Sequence, residues 1–549
     1  MTLAIAMAAA LPVPGRSITA SQHGVVASSQ PLAAQAAVQI LQRGGSAVDA
    51  AIAANSTQGL MEPTSNGLGG DLFALVYLAK EDKLYGLNAS GWSPAGMTLE
   101  FLKSKGVERE LPFRGVYTVT VPGAVAGWAA LHERFGKLPL ATDLAPAIWY
   151  AEHGFPLMEV TAGLWSHSVQ MLAEDPESKA TFLPGDRGPR AGEIFRNPNL
   201  ARTLRRIAEN GRDGFYQGET AQAIVEVVRA RGGVMTADDL AKFQAEWVEP
   251  IQTTYRGWTV SELPPNGQGL AALEMLNILE QFPLGEWGFH STRTLHAMIE
   301  AKKLAYADLL KYVGDPRFSS IPVGQLISKE NAQKRARLID MKKASCASEP
   351  SKLAMGNDTI YLTAVDGEGN IVSLIQSNYA GFGSGLVPKG MGFMLQNRGA
   401  LFTLKPGKPN TIAGRKRPLH TIIPAFMQRG ETRIGFGIMG GWNQAQAHAQ
   451  FVADVADFGM TIQQALEAGR FTKPTFEGCD VEIEASVPAP VRDELSALGH
   501  QLAVQPPRTP NFGYGQAVLF DRASGVKFGA SDPRHDGEAI PAPAPYFAK

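Results

Sequence analysis

Thr359 is the residue whose position in this sequence suggests chemistry most directly. It follows a polar segment without periodicity, residues 346–358, and stands at the first position of a predicted strand. A threonine hydroxyl is a weak nucleophile, but at the start of a chain it has a free α-amine nearby, whose ordinary pKa of about 7.7 to 8.0 suits a general base. Thr359 gains that amine only if its own hydroxyl attacks the carbonyl of Asp358 and releases the chain. Without other support, a threonine at a strand start is ordinarily just a β-former.

Other residue types that carry chemistry are sparse. The ten histidines lie far apart, and none forms the helix-face pair beside a carboxylate that is typical of metalloproteases, so we expect no catalytic metal and no cofactor. The two cysteines, Cys346 and Cys479, are too few for a disulfide framework or a thiolate zinc cage. We expect two buried free thiols, with a single isolated bridge as the alternative.

The first half of the chain predicts a helical scaffold around one early hairpin of strands. Residues 31–56 hold two Ala-rich helical stretches broken at Gly44 and Gly45, where a left-handed turn costs little. Residues 66–91 predict a buried β-hairpin that begins at a glycine cluster, GLGGD. Further helices are predicted at AVAGWAALHERFG, LAPAIWYAEHG, NLARTLRRIAENG and LHAMIEAKKLAYADLLKYVGD.

The second half is richer in predicted strands. After the linker at residues 346–358, residues 359–378 predict an antiparallel hairpin around the turn GEGN, which places Thr359 at its first position. Further strands are predicted at TIIPAFMQ, TRIGFGIM, VEIEAS and GQAVLFDRASGVKFGAS, and helices at MTIQQALEAG and PAPVRDELSALG.

Composition narrows the class of partner. A chain of 549 residues with 44% hydrophobic content can bury a large core. Its 51 basic and 52 acidic residues create no basic field for nucleic acid or an anionic membrane, and no run of about twenty apolar residues predicts a membrane-spanning helix. We therefore expect a small-molecule partner. Residues 3–13 are apolar but follow no basic residue, which gives a weak signal-peptide pattern. A cytoplasmic enzyme is the default, with the periplasm as the alternative.

Ordered sequence blocks along nearly the whole chain resemble one family. The segment DTIYLTAVDGEGNIVSLIQSNYAGFGSG resembles the signature around the processed threonine of the gamma-glutamyltranspeptidases. The likeness continues through GFMLQNRGALF, KRPLHTIIPA, GIMGGWNQAQA and GASDPRHDG, and earlier blocks include GLGGDLFAL, VPGAVAGWAAL, LPPNGQG and YADLLKYVGDPRF.

This resemblance implies an N-terminal nucleophile hydrolase of the α+β class. Such a fold is a four-layer αββα sandwich, made as one precursor and cut into a helix-rich large subunit and a small subunit that stay associated. Here the pieces are residues 1–358 and 359–549, forming one compact unit with its cleavage site between Asp358 and Thr359.

Catalytic residues are carried over by position. Thr359 matches the family's nucleophile, and Ser377 stands where the family usually has a threonine whose hydroxyl supports both the nucleophile and the cleavage step. Gly440 and Gly441 match the glycine pair whose backbone N–H groups stabilise the developing oxyanion. A structural turn is the alternative role of these two glycines.

The charged residues that hold a gamma-glutamyl group in the family are missing. Ser90 stands where the family has the arginine that binds the α-carboxylate, and Leu401 replaces the acidic residue that binds the α-amine. Losing both partners argues against tight binding of a free glutamyl zwitterion.

Other pocket positions have changed as well. Tyr379 and Arg398 replace an asparagine and a glutamine of the family pocket, and His420 and Thr421 replace two serines. Arg398 suits the carboxylate of a glutaryl-like acyl group, with a structural salt bridge as the alternative. His420 is either a pocket donor or a structural residue. This pattern is similar to the branch of glutathione-hydrolase-like and cephalosporin-acylase-like enzymes.

The sequence therefore predicts a self-processing amidohydrolase that cleaves gamma-glutamyl or related acyl amides through an acyl ester on Thr359. One alternative is a true gamma-glutamyltransferase that also catalyses transpeptidation. The other is a non-catalytic small-molecule binding protein of the same fold, with GLGGD as an anion-binding loop.

Overall fold

The structure is a computed structural model that describes residues 15–346 and 358–546. The apolar stretch at residues 3–13 and nearly all of the predicted linker therefore lie outside the described residues. The strands are β1 Thr19–Ser21, β2 Val25–Ser28, β3 Asp71–Leu78, β4 Lys83–Ala89, β5 Phe155–Pro156, β6 Ile194–Phe195, β7 Glu246–Val248, β8 Ile251–Tyr255, β9 Trp258–Glu262, β10 Asp358–Val365, β11 Ile371–Tyr379, β12 Ala425–Arg429, β13 Thr432–Ile438, β14 Phe471–Thr472, β15 Asp480–Glu484, β16 Gln501–Gln505, β17 Gly515–Asp521, β18 Lys527–Ser531 and β19 Glu538–Pro541.

The helices carry the remaining regular structure. They are α1 Pro31–Gln42, α2 Ala47–Met61, α3 Leu99–Ser104, α4 Ala124–Phe135, α5 Leu140–His153, α6 Glu159–Ser166, α7 Val169–Ala173, α8 Pro176–Phe182, α9 Pro198–Asn210, α10 Asp213–Tyr216, α11 Gly218–Ala230, α12 Ala237–Ala241, α13 Gly269–Leu279, α14 Leu284–Trp287, α15 Thr292–Tyr312, α16 Val323–Leu326, α17 Lys329–Ala336, α18 Gln444–Ala456, α19 Ile462–Glu467 and α20 Ala489–Ala497. The predicted helices and hairpins are confirmed within a few residues at their ends.

Two seven-stranded sheets form the middle of the fold. One has the strand order β1-β18-β17-β13-β12-β9-β8, and the other has the order β19-β2-β10-β11-β3-β4-β7. An apolar layer that includes Phe73, Tyr361, Phe426 and Val518 joins their facing sides. Helices α1, α2 and α5 cover the outer face of the second sheet, and α13, α15 and α18 cover that of the first. The predicted four-layer αββα sandwich is confirmed.

The helical hairpin that opens the fold has clear local causes. The side chain of Gln30 caps α1, which begins with Pro31, and Ser46 forms a capping box with Asp49 at the start of α2. Between the helices, Gly44 adopts a φ of +87°, which favours glycine. The Ala-rich faces of α1 and α2 then pack closely against each other and onto the second sheet.

Strands from both sides of the predicted cleavage point alternate in the sheets. In the second sheet, the hairpin β10-β11 lies between β2 and β3, which come from the predicted large subunit. In the first sheet, β12 pairs with β9 in the same way. The two predicted pieces therefore both contribute strands to each of the two sheets.

The expectation of two free thiols is wrong, because Cys346 and Cys479 form a disulfide with their Cα atoms 5.1 Å apart. Sequence reasoning could not find this pair, because 133 positions separate the two cysteines and nothing local brings them together. As for membranes, no helix among the described residues is long and apolar enough to cross a bilayer.

Asp143, in the first turn of α5, is a buried carboxyl group that lowers stability at neutral pH. Burial and the neighbouring Asp49 carboxylate raise the pKa of Asp143 to about 9. The group stays protonated in the folded chain but ionises above about pH 4 when unfolded, so stability falls as pH rises from about 4 to 9. We expect Asp143→Asn to raise the stability at pH 8 by about 2 to 4 kcal/mol, and by clearly less at pH 5.

Thermal unfolding at a fixed scan rate at the two pH values measures this effect. The matched control is Asp213→Asn, which changes an exposed aspartate in the first turn of α10. A stabilisation by Asp143→Asn that is equal at pH 5 and pH 8 would contradict the assignment.

Candidate active site

Thr359 lies at an irregularity in the β10-β11 hairpin. Asp358 pairs with Tyr379 and Ile360 pairs with Gln376, so Ser377 and Asn378 of β11 together oppose Thr359. A bulge of this kind turns a side chain away from the regular alternation of a strand and is frequent beside active sites. The hydroxyl of Thr359 donates a hydrogen bond to Oγ of Ser377 at 3.1 Å.

The Ser377 hydroxyl contacts both the candidate nucleophile Thr359 and the backbone of Tyr379. Its Oγ also accepts a hydrogen bond from the N–H of Tyr379 at 2.8 Å, and Tyr379 adopts a φ of +81°. On the other side, the Tyr514 hydroxyl donates to the carbonyl oxygen of Thr359 at 3.4 Å. Thr359 and Ser377 are both buried. The structure thus brings together the two hydroxyls that the sequence paired.

The Gly440–Gly441 turn follows β13 and lies against Gly513, whose neighbour Tyr514 contacts Thr359. Gly440 and Gly441 have φ values of +127° and +58°, and a Cβ on Gly440 would lie 3.3 Å from Gly513, the residue before Tyr514. Gln268 donates a hydrogen bond to the Gly441 carbonyl at 2.7 Å and fixes the turn. Neither glycine N–H donates to another residue in the described part of the chain. Two uncommitted amides on a fixed turn can bind an oxyanion.

Arg398 is an enclosed guanidinium with free donor capacity. Its Nη1 donates to Oγ1 of Thr421 at 2.6 Å, and its guanidinium lies 4.6 Å from the centre of the Tyr379 ring. Its Nε and Nη2 have no hydrogen-bond partner among the described residues. Burial lowers the pKa of Arg398 to about 10, while Asp71 and Tyr379 oppose that shift. The group therefore stays charged at neutral pH, and no salt bridge engages it in the part of the chain that the structure describes.

Both ring nitrogens of His420 form hydrogen bonds with other residues of the protein. Its Nε2 lies 2.9 Å from Oδ2 of Asp71, and its Nδ1 accepts the N–H of Ile422 at 3.3 Å. Burial, reinforced by Arg398, lowers the pKa of His420 to about 4, so the ring is neutral at pH 7. Asp71 also accepts bonds from Gly91 and Gln396. Of its two predicted roles, the structural one is favoured, because no ring nitrogen is left for a substrate.

Ser90 is likewise committed to other residues. Its hydroxyl donates to Oδ1 of Asn88 at 2.7 Å, and Nδ2 of Asn266 donates to it at 3.2 Å. Its carbonyl accepts a bond from Nε of Arg417 at 2.9 Å. A serine so engaged cannot replace the arginine of the gamma-glutamyl pocket, and its predicted contact with substrate is not supported.

A large cleft opens beside the nucleophile cluster. It has a volume of about 1220 Å³, and its walls include Phe113, Tyr379, Leu401, Leu419 and Trp442. Trp442 directly follows Gly441, and Tyr379 is the residue on which Arg398 stacks. Leu401, where the family has an acid, contributes an apolar wall. The walls also carry charged side chains, among them Glu108, Arg109 and Lys405, so the cleft can hold a sizeable molecule of mixed polarity beside Tyr379.

The sequence did not single out several residues that organise this site. Asp71 anchors His420, Tyr514 reaches Thr359, and Gln268 holds the glycine turn. Asp71 directly follows the GLGG run and Gln268 lies in the LPPNGQG block, so position inside the family-like blocks was the available signal.

The GLGGD segment does not have the space of an anion-binding loop. A Cβ on Gly69 would lie 2.0 Å from the carbonyl oxygen of Met394, and one on Gly70 would lie 2.5 Å from that of Ser377. These glycines allow protein backbone to approach, and carbonyl oxygens repel an anion. The binding-protein alternative loses its main support.

Two clusters of metal-ligand types occur among the described residues, apart from the contacts around Thr359. They are His296, Glu300 and His500, and Asp49, His132 and Asp143. In the first, the imidazoles hydrogen-bond each other at 2.8 Å and Glu300 pairs with Lys303. In the second, Asp49 accepts bonds from Ser46 and Lys137. Several ligand-type atoms of both clusters are thus engaged by protein groups, whereas Asp143 Oδ1 and Oδ2 and His500 Nδ1 have no hydrogen-bond partner among the described residues.

Comparison with known proteins agrees with this geometry. The family model described as gamma-glutamyltranspeptidase matches residues 33–542. The chain is 35% identical to the glutathione hydrolase-like YwrD proenzyme of Bacillus subtilis, over 94% of this chain and 98% of the relative. It is 32% identical to the acylase ACY 1 proenzyme of Pseudomonas sp. strain SE83, over 94% of this chain and 93% of the relative.

A solved structure is similar over its whole length. The crystal structure of cephalosporin acylase from Bacillus halodurans aligns with a TM-score of 0.91 and 43% identity, covering 99% of this chain and 100% of that one. Family model, full-length relatives and fold agree, and the chain therefore belongs to the gamma-glutamyltranspeptidase family.

Proposed function

We propose that the chain is a self-processing amidohydrolase in which Thr359 is both the agent of cleavage and the nucleophile on the substrate. The hydrogen bond from Thr359 Oγ1 to Ser377 Oγ, at a bulge on the first strand after the linker, carries this proposal. Relatives across the full length carry names of proenzymes, which describe proteins activated by cleavage.

Cleavage begins when the Thr359 hydroxyl attacks the carbonyl of Asp358. The peptide bond becomes an ester on Thr359 Oγ1 and the α-amine of Thr359 is freed. Water then hydrolyses the ester, which leaves a carboxylate on Asp358 and restores the hydroxyl. The new amine is the base that the hydroxyl lacked.

The same hydroxyl then reacts with the substrate amide. Its proton passes to the α-amine as Oγ1 bonds the substrate carbonyl, and the N–H groups of Gly440 and Gly441 stabilise the oxyanion. The leaving amine departs with a proton, and water hydrolyses the acyl ester. Each oxyanion donor of this type contributes about 3 to 4 kcal/mol to the transition state in well-studied enzymes.

The uncut chain is a closed form of the enzyme. Thr359 is only 1% exposed and Arg398 is fully buried, so a substrate cannot reach either group before cleavage. Cutting the chain beside Thr359 both creates the base and frees this end of β10 from the preceding chain. This explains why a zymogen stage accompanies the chemistry.

The acyl group that fits best carries a terminal carboxylate and no α-ammonium group. Nε and Nη2 of Arg398 offer two parallel donors for a carboxylate, and the guanidinium gains the counter-ion that it lacks. Leu401, a wall residue of the cleft, offers no acid for an ammonium group. A glutaryl-like acyl amide meets these conditions better than a gamma-glutamyl amide does.

Two measurements test the proposal. N-terminal sequencing of the smaller fragment from purified protein should begin at Thr359, and a single uncut, inactive chain would overturn the cleavage step. Initial rates with glutaryl and gamma-glutamyl p-nitroanilides should favour the glutaryl compound. The reverse order, or efficient transfer to a dipeptide acceptor, would favour a true gamma-glutamyltransferase.

Ser377→Ala should slow both cleavage and turnover. The change removes the acceptor of the Thr359 hydroxyl and of the Tyr379 N–H, and losses of about 1 to 3 kcal/mol correspond to rates about 10- to 100-fold lower. Ser377→Thr keeps a hydroxyl and should remain close to wild type. The fraction of uncut chain over time and the kcat on an anilide measure both steps.

Ser373→Ala is the matched control for this change. Ser373 lies on the same strand and its Oγ is hydrogen-bonded to the Tyr361 hydroxyl at 2.7 Å, away from Thr359. Equal slowing by both alanine variants would mean that the effect comes from weakening the hairpin.

A further inference from the structure

The Cys346–Cys479 disulfide joins two parts of the chain that lie on opposite sides of the proposed cleavage point. Cys346 precedes the Asp358–Thr359 bond and Cys479 follows it. The Cα separation of 5.1 Å lies within the normal range for a disulfide. In the uncut chain the bridge closes a loop within one polypeptide, whereas after cleavage it would join two polypeptides.

The backbone on both sides of the bridge is fixed by hydrogen bonds. The N–H of Ala344 donates to the carbonyl of Leu498 at 2.7 Å, and Ala344 is buried against Gly499. The carbonyl of Cys479 accepts the N–H of Gln501 at 2.7 Å, the first residue of β16. Both cysteines are thus attached to the same short segment of the predicted small subunit, which sets their separation independently of the sulfur atoms.

Two charged side chains, Lys303 and Glu300, also lie beside the disulfide. Nζ of Lys303 lies 3.8 Å from Sγ of Cys479 and forms a 2.6 Å salt bridge with Glu300, which in turn accepts the N–H of Ser345. Lys303 and Glu300 belong to α15 of the predicted large subunit. An ammonium group beside a sulfur stabilises the thiolate form that attacks disulfides.

We infer that this disulfide becomes a covalent link between the two subunits once Asp358–Thr359 is cut, an inference that rests on the proposed cleavage. In its absence the processed pieces are held by shared sheets and core alone. With the link, their re-encounter after local opening is intramolecular, so the pair stays together at any dilution.

Formation of the link needs an oxidant, which we name as a low-molecular-weight disulfide such as oxidised glutathione. The thiolate of Cys346, which is exposed at the surface, attacks one sulfur of that disulfide and releases one small thiolate. The thiolate of buried Cys479, beside Lys303, then attacks the Cys346 sulfur of the mixed disulfide and releases the second. Two protein thiols lose two protons and two electrons, and the small disulfide becomes two small thiols.

The test is a denaturing gel of the full, processed protein with and without reductant. Purified protein is incubated with oxidised glutathione, its remaining thiols are blocked with iodoacetamide, and the thiols blocked are counted by mass spectrometry. We expect one band of full-chain size without reductant and two bands, residues 1–358 and 359–549, with reductant. We expect no blocked thiol before reduction.

The variants Cys346→Ser and Cys479→Ser provide the comparison. Each should give two bands in both lanes while keeping the wild-type rate on an anilide, because neither residue touches the nucleophile cluster. Since Cys346 is exposed, its replacement is expected to fold even if that of buried Cys479 is not.

The possible outcomes separate the two ideas. Two wild-type bands without reductant, with both thiols blocked, would overturn the link and leave the cleavage intact. One wild-type band in both lanes would overturn the cleavage and with it the link between subunits. In that case the thiol count of the same sample still reports whether the bridge exists in the single chain.

Discussion

Thr359→Ala is expected to yield a single uncut chain with no measurable amidase activity, a loss on the order of 10⁴-fold or more. Alanine has no oxygen to attack Asp358, so the α-amine is never freed, and it has none to form the acyl ester. Thr359→Ser keeps the hydroxyl and should show slower processing and reduced but measurable turnover. A reducing gel followed over days, together with an anilide assay, measures both effects.

Thr363→Ala is the matched control. Thr363 lies on the same strand, is fully buried, and donates its hydroxyl to the carbonyl of Val372 at 2.8 Å. It should be processed at Thr359 with normal activity per folded molecule. If Thr359→Ala were still cut at the same bond, cleavage would be the work of another group and the nucleophile assignment would be lost.

Arg398→Met is expected to lower kcat/KM for a glutaryl anilide by about 10² to 10³, since two charge-assisted hydrogen bonds to a carboxylate contribute about 1.5 to 3 kcal/mol each. Methionine keeps much of the buried volume beside Tyr379 without offering donors. A butyryl anilide, which has the chain but no acid, should change little. The ratio of the two kcat/KM values isolates recognition of the carboxylate from general damage.

Two further variants sharpen this result. Arg398→Lys keeps a charge but loses the forked donors, so it should fall between wild type and Arg398→Met. Arg433→Met removes another largely buried arginine, which pairs with Asp82 across the sheets, and should not alter the ratio. Equal losses on both anilides in Arg398→Met would mean that Arg398 acts only by packing against Tyr379.

Much of the architecture could be predicted from local pattern. The helical hairpin broken at Gly44, the early β-hairpin and the hairpin that begins at Thr359 all follow from periodicity and turn residues, which act over a few positions. Local pattern could not supply the strand order, in which β10 and β11 lie between β2 and β3. Such pairings join residues hundreds of positions apart, and no short stretch of the sequence indicates which strand will be its partner.

In the candidate site, too, some features were predictable from the sequence and others were not. The pairing of Thr359 with Ser377 came from a family-like block and is met by a hydrogen bond, whereas the bulge that lets two residues face Thr359 emerges only from the register. Ser90 and His420 were candidates for substrate binding because of their alignment. The structure engages both with Asn88, Asn266 and Asp71, since buried polar groups are satisfied by whichever partners folding provides.

By itself the sequence indicated the family, predicted most of the helices and the two hairpins, and singled out Thr359 as the proposed nucleophile, because these depend on residue type and short spacing. Only the tertiary structure shows that Arg398 is buried with two donor nitrogens free. It also shows that backbone carbonyl groups occupy the space beside the GLGGD glycines, and that Cys346 and Cys479 are bonded. Each of these depends on which distant segments become neighbours, and burial and hydrogen-bond satisfaction exist only once those neighbours are in place.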